Sequence, residues 1–264
     1  MNGLSVRALL AAALLVLLVP GSSGAGQRVI VDPGTSPWDA IAKVQTNTGT
    51  RCTGALIAPA VVLTAAHCLY NRPTRALLQP VSLHVLLGYQ RSAYRWHRRV
   101  ARVRVGSGFD GAKAQPQRAD WARLELAEPI PAAVSPLTIE TEAPAPGTPL
   151  ALAGYNQDRS QLLVADTDCH VIAAVRSPDG GAFFTHDCAA THGTSGAPVL
   201  ARQAGRWIIA GINIAAGRNA NLALAATDTG PRAPPALVAG SSTIRVSFAA
   251  RALTGSAARC GGAS

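Results

Sequence analysis

Three short strings carry the residues of this chain best suited to acyl chemistry: LTAAHC ending at Cys68, ADWARLEL from Ala119, and HGTSGAPV around Ser195. A serine hydroxyl is a poor nucleophile at neutral pH. It attacks a carbonyl only when a neighbouring imidazole takes its proton and a buried carboxylate fixes the imidazole tautomer. His67, Asp120 and Ser195 supply one of each, in a chain order known for that geometry. Imidazole titrates near neutrality, so His67 suits both directions of proton transfer. The glycines around Ser195 have a conformational purpose. A tight loop that aims backbone N–H groups at a forming oxyanion needs positive φ, which Gly193 adopts without a Cβ penalty.

The competing residues fit less well. Asp110, in GFDG, sits in a glycine-rich loop without the apolar alternation that follows Asp120. His84 and His97 lie in strand-like or basic contexts, and His170 and His186 flank cysteines. His192, three residues before Ser195, is a candidate substrate contact. No histidine has metal-ligand spacing, so neither metal nor cofactor is expected.

The elements that must hold these residues read as strands. CTGALIA, a Pro-Ala turn and VVLTAAHC predict an antiparallel pair ending at His67, with VSLHVLLGY following. In WARLEL, Ala122, Leu124 and Leu126 share one face and Arg123 and Glu125 the other, which puts Asp120 at the head of a half-buried strand. The Pro- and Ala-rich stretch Glu128 to Pro136 breaks the pattern and reads as a linker between two halves. Beyond it PLALAGY, QLLVADTDCHVIAAV, AFFTHDC and APVLARQAGRWIIAGINIA continue in β style, the last folding back at Gly205. GPRAPPALVAGSS from Gly230 reads as a loop, and STIRVSFAARAL as part of a closing strand and helix.

Together the three strings and the hairpin CTGALIAPAVVLTAAHC resemble the chymotrypsin-like serine proteases, in particular their bacterial trypsin-like and glutamyl-endopeptidase-like branch. The likeness runs from about Arg28 to Ala226. It implies an all-β fold of two antiparallel six-stranded barrels with the active site between them. Residues 27–130 would form the first barrel, with His67 and Asp120, and residues 131–264 the second, with Ser195. The implied activity is a serine endopeptidase acting on polypeptides through an acyl-enzyme, as a monomer. His67, Asp120 and Ser195 would be the triad, and the N–H groups of Gly193 and Ser195 the oxyanion donors. The resemblance also pairs Cys52 with Cys68 and Cys169 with Cys188; the cysteines alone leave three pairings of four open.

Two positions depart from trypsin-like relatives. The residue before the nucleophile, usually an Asp that pairs with a freshly cut N-terminus, is Thr194, although Arg28–Val29 resembles a cleavable junction. The base of the primary pocket falls near Ala189, with no carboxylate, and Asn213 stands where glutamyl-specific relatives often carry His. A small or mixed pocket built from Ala189, His192 and Asn213 is the expectation.

Composition sets the compartment. Residues 1–26 read as a secretory signal: Arg7 precedes an apolar run of 12 residues from Ala8 to Val19, closed by Pro20 and small residues. A secreted or periplasmic location follows, and five cysteines suit an oxidising space, with Cys260 left over. The balance is basic, 24 Lys and Arg against 14 Asp and Glu. Six arginines fall between Arg91 and Arg104, interleaved with Tyr94, Trp96 and His97. That segment could bind polyanions, so the alternative reading is a catalytically inactive module of the same fold using Arg91–Arg104. The simpler expectation buries Val100, Val103 and Val105 and leaves Arg102 and Arg104 in solvent, with weak association with anionic surfaces and no specific nucleic acid.

Overall fold

The computed structural model describes residues 27–114 and 116–230. The signal-like segment 1–26, the strings after Gly230 and Cys260 lie outside the described residues. A short strand β1 (Val29–Ile30) is followed by β2 (Ile41–Thr46), β3 (Arg51–Ala58) and β4 (Val61–Thr64). The ribbon β5 (Tyr70–Asn71) and β6 (Ala76–Leu77) comes next, then β7 (Leu83–Leu87), β8 (Trp96–Val105) and β9 (Ala122–Leu126). Strands β2-β3-β4-β9-β8-β7 close into an antiparallel barrel.

The barrel follows from residue pattern. Pro59 and Ala60 turn β3 into β4, with Ala55 opposite Leu63, and β9 sets Leu124 opposite Val62. Leu56, Val62, Leu63 and Leu124 are completely buried, each contributing about 1.5–3 kcal/mol by leaving water. VVLTAAHC does not stay extended to its end: the strand stops at Thr64 and Ala66–Leu69 form a 3-10 turn that carries His67. Arg123 is also not on a solvated face. It is buried, and its Nη2 donates to Gly230 O at 3.1 Å.

The segment after β9 is a strap, not a loose linker. Ile130 N–H donates to Pro59 O at 2.7 Å and Leu137 N–H to Leu56 O at 2.9 Å, while Ile130, Val134 and Leu137 are buried. The chain continues through β10 (Thr138–Ile139), β11 (Pro149–Gly154), β12 (Val164–Arg176), β13 (Ala182–His186), β14 (Pro198–Gln203), β15 (Arg206–Ala215) and β16 (Asn221–Ala225).

The order β12-β11-β14-β15-β16-β13 closes through a β12–β13 pairing into a second barrel, with β1 added on β12 and β10 parallel to β15. Ala204 (φ 47°) and Gly205 (φ 78°) turn β14 into β15. Two positive φ values in a two-residue turn match the right-handed twist of the strands they join. The fold is thus the all-β, two-barrel one expected, and one apolar cluster runs through both halves, from Leu56 and Leu124 to Leu200 and Ile212.

Candidate active site

Asp120 leaves the 106–121 loop just before β9, and its carboxylate reaches the 3-10 turn of His67. Oδ1 accepts the backbone N–H of His67 at 2.8 Å and Oδ2 lies 2.8 Å from the ring Nδ1. This fixes both the turn and the ring, and assigns the Nδ1 proton to the carboxylate, leaving Nε2 as the basic nitrogen. Asp120 is buried, so the pair is sheltered from screening. Asp110 is exposed and spends its Oδ1 on Ala112 N–H.

The Ser195 turn is mounted on the first barrel. Thr53, next to Cys52 on β3, donates its N–H to Ser195 O at 2.9 Å and its hydroxyl to Gly193 O at 2.9 Å. The same hydroxyl accepts Tyr155 N–H at 2.9 Å, and Thr53 O accepts the Thr64 hydroxyl at 2.7 Å. Cys68 Sγ, adjacent to His67, lies 3.7 Å from Ser195 O. A Cβ added to Gly196 (φ +77°) would stand 2.1 Å from Thr64 Oγ1 and 2.7 Å from Ala65 N, so only glycine allows this approach. The His67 turn and the Ser195 turn therefore touch through main chain. Among the described residues the Ser195 hydroxyl forms no hydrogen bond to the His67 ring, and such contacts often tighten only with substrate bound.

Gly193 has φ +95°, and a Cβ there would lie 2.3 Å from Tyr155 O. Its peptide is fixed from behind, because Gln157 N–H donates to His192 O at 2.6 Å. In a trans peptide the C=O and the next N–H point opposite ways, so the Gly193 N–H is aimed away from Gln157. The segment Tyr155–Ser160 that provides this backing is itself held by the first barrel. Lys43 is buried, lies 3.7 Å above the Tyr89 ring and donates Nζ to Ser160 O at 2.8 Å. Burial pushes its ammonium pKa below the usual lysine range.

The expected pocket residues divide. His192 is exposed and, with Gly193, lines a cavity of about 190 Å³ beside Arg51 and Gln157. Ala189 is half-buried, and its N–H donates to Asp166 Oδ2 at 2.7 Å. That carboxylate is fully buried, also accepts Asp168 N–H at 3.1 Å, and is a partner the sequence did not suggest.

Asn213 does not present its side chain to a ligand. It is 2% exposed; Nδ2 donates to Thr194 O at 3.3 Å and Oδ1 accepts His186 Nε2 at 3.1 Å. Its main chain adds two more bonds, accepting Gly196 N–H at 2.7 Å and donating to Ala197 O at 2.8 Å. Asn213 thus holds the Ser195 turn from inside through both its side chain and its main chain. His186, fully enclosed, has its pKa pushed down to about 4, chiefly because burial penalises the charged ring and despite the Asn213 bond.

A second cavity, of about 320 Å³, opens beside His67 and Asp120 and includes Tyr70, Arg72, Phe109, Lys113, Ile214 and Ala215. A further cavity, of about 540 Å³, lies between Ser36–Pro37 and Gln203–Ile208 and touches none of these residues. Disulfides join Cys52 to Cys68 (S–S 2.08 Å) and Cys169 to Cys188 (2.18 Å), the pairing the resemblance implied. The first ties the Thr53 strand to the His67 turn, closing a loop worth about 3 kcal/mol in chain-entropy terms.

A double barrel whose cleft gathers a carboxylate-held histidine and a glycine-flanked serine defines the trypsin-like peptidases. Residues 52–212 match the family model of the trypsin-like peptidase domain, more than half of the chain, and the chain belongs to that family. It is a trypsin-fold serine protease with polypeptide substrates. The fold is shared with a Glu endopeptidase solved in complex with MPD, at 24% sequence identity and a TM-score of 0.64, over 76% of this chain and 91% of that one.

Proposed function

We propose that the chain is an exported serine endopeptidase in which Ser195 attacks the scissile carbonyl, His67 takes and returns the proton, and Asp120 orients His67. The observation that carries the reading is the Asp120 carboxylate bonded to both the ring and the main chain of His67, with that turn against Ser195 O. In the first step Ser195 Oγ bonds to the carbonyl carbon, its proton passes to His67 Nε2, and the carbonyl oxygen becomes an oxyanion. The N–H groups of Gly193 and Ser195 receive that charge, each worth about 10²–10³ in rate. The imidazolium then protonates the leaving amine, and water repeats the sequence on the acyl-enzyme.

Two disulfides support an oxidising compartment outside the cytoplasm. At the primary pocket the half-buried Ala189, with Asp166 sealed behind it, favours small or uncharged side chains, and the exposed His192 is the substrate contact. The polyanion reading is weakened by the arginines themselves. Arg102 and Arg104 both bond Glu125, at 3.0 and 2.5 Å, and Arg98 donates to Pro129 O.

The deciding experiment is covalent labelling with a fluorophosphonate probe. The parent labels and the Ser195→Ala protein does not; equal labelling of both removes Ser195 as the nucleophile.

A further inference from the structure

Asp158 joins three parts of the chain that are distant in sequence. Its Oδ1 and Oδ2 accept Arg28 Nη1 and Nη2, both at 2.8 Å, a forked pair of the geometrically specific kind. Oδ1 also accepts the Thr191 hydroxyl at 3.2 Å. Thr191 O in turn accepts the N–H of Thr194 at 3.2 Å and its hydroxyl at 2.5 Å. A continuous series of bonds thus runs from Arg28 to the residue before Ser195.

The neighbour of Asp158 matters as much. Gln157 and Asp158 lie in one 3-10 turn, Gln157–Arg159, and the Gln157 N–H fixes the His192 carbonyl and so the direction of the Gly193 N–H. Whatever anchors Asp158 anchors that donor. Arg28 is an anchor with little freedom. Its side chain is 18% exposed, its carbonyl accepts Arg159 Nη1 at 3.3 Å, and Val29 and Ile30 pair with β12 directly after it. The guanidinium holds the Asp158 carboxyl below the usual carboxylate range, so the pair stays charged under working conditions. Meanwhile Thr194 is a neutral, buried residue, with no carboxylate to receive a freshly cut N-terminal amine.

We propose that Arg28, through Asp158, is a positioning residue for the oxyanion loop, and that the active enzyme keeps Arg28 in its chain. Cleavage at the tempting Arg28–Val29 junction would then disarm the protein, because the new N-terminus would begin one residue past the anchor. The inference rests on the serine-protease reading for its effect on rate, and on geometry alone for its effect on the loop.

The test uses the full chain, exported by its host, as parent, Arg28→Ala, Arg28→Lys, Asp158→Asn and the Arg28→Ala/Asp158→Asn double variant. Three quantities are read: the second-order rate of fluorophosphonate labelling, hydrogen exchange in the 189–197 segment, and the mass of the N-terminal peptide of the labelled species. Arg28→Ala and Asp158→Asn are each expected to label about 10-fold more slowly and to exchange faster in 189–197. The double variant should be no worse than either single change, as for residues acting as one unit, and Arg28→Lys should recover part of the rate.

The labelled parent should contain Arg28. Asp158→Asn, on an exposed turn, keeps the test available if Arg28→Ala does not fold. A labelled species starting at Val29, or exchange in 189–197 unchanged by both substitutions, overturns the proposal. If the parent itself fails to label, the serine-protease reading fails separately, and the exchange measurement still decides the anchor.

Discussion

Asp120 grips His67 at two points, taking the ring Nδ1 at 2.8 Å and the backbone N–H at 2.8 Å. The backbone bond makes the carboxylate part of the turn that presents the histidine, so the two effects of losing the charge can be separated. Asp120→Asn keeps a carbonyl oxygen for the backbone N–H but forces the ring toward the wrong tautomer. Turnover of a peptide ester should fall by about 10⁴, with the thermal midpoint nearly unchanged. A fall of less than tenfold would remove Asp120 from its orienting role.

Thr53 is the mount of the Ser195 turn, since its hydroxyl serves Gly193 O and Tyr155 N–H together. Thr53→Val preserves shape and leaves both groups unsatisfied, at about 1–3 kcal/mol each. The expected result is lower stability in urea and a loss in kcat larger than the change in KM. Thr53→Ser should restore most of both. Parental kcat in Thr53→Val would show that the turn does not need this support.

Gly193→Ala meets two obstacles, a positive φ and a carbonyl oxygen 2.3 Å from the new Cβ. Relief requires the 192–193 peptide to move, which displaces the N–H proposed as an oxyanion donor. A loss of at least about 10² in kcat is expected, with circular dichroism still reporting a β protein. Retained activity would mean that another N–H receives the charge.

His186 gives the fold a pH dependence of known sign. Its pKa is about 4 in the folded chain, against an ordinary value of 6.5. Between these limits the unfolded chain binds the extra proton, so stability is lost as pH falls from about 6.5 towards 4 and this contribution is flat below that. The loss is on the order of 3 kcal/mol. Urea unfolding of the parent and of His186→Gln from pH 7 to pH 4 should show the smaller decline in the variant. Parallel declines would mean that His186 titrates normally.

The residues proposed to perform chemistry were legible because each sits in a local string of distinctive type. His67, Asp120, Ser195 and Gly193 were singled out that way, and the hairpin, the β9 strand and the turn at Gly205 were read from the same kind of signal. Their supports were not. Thr53 acts on Gly193 across 140 positions and Arg28 on Asp158 across 130. A threonine in a strand and an arginine near a chain end carry no local mark of such pairing. The bonding of Asn213 was hidden for a related reason: its place on β15 was visible, but which way its amide points depends on His186 from another strand. The segment 128–137 joins the two barrels as a linker does, but Pro breaks its periodicity and so hid that Ile130, Val134 and Leu137 are buried.

The mount at Thr53 has a consequence for the life history of the enzyme. It belongs to the half of the chain synthesised first, while Gly193 and Ser195 belong to the half that follows. Until the second half is in place, the Thr53 hydroxyl has neither Gly193 O nor Tyr155 N–H to bond, and the loop it shapes has no mount. On the proposed mechanism, cutting would therefore wait for the late half to meet the early one, after the segments that could serve as the chain's own substrate are folded.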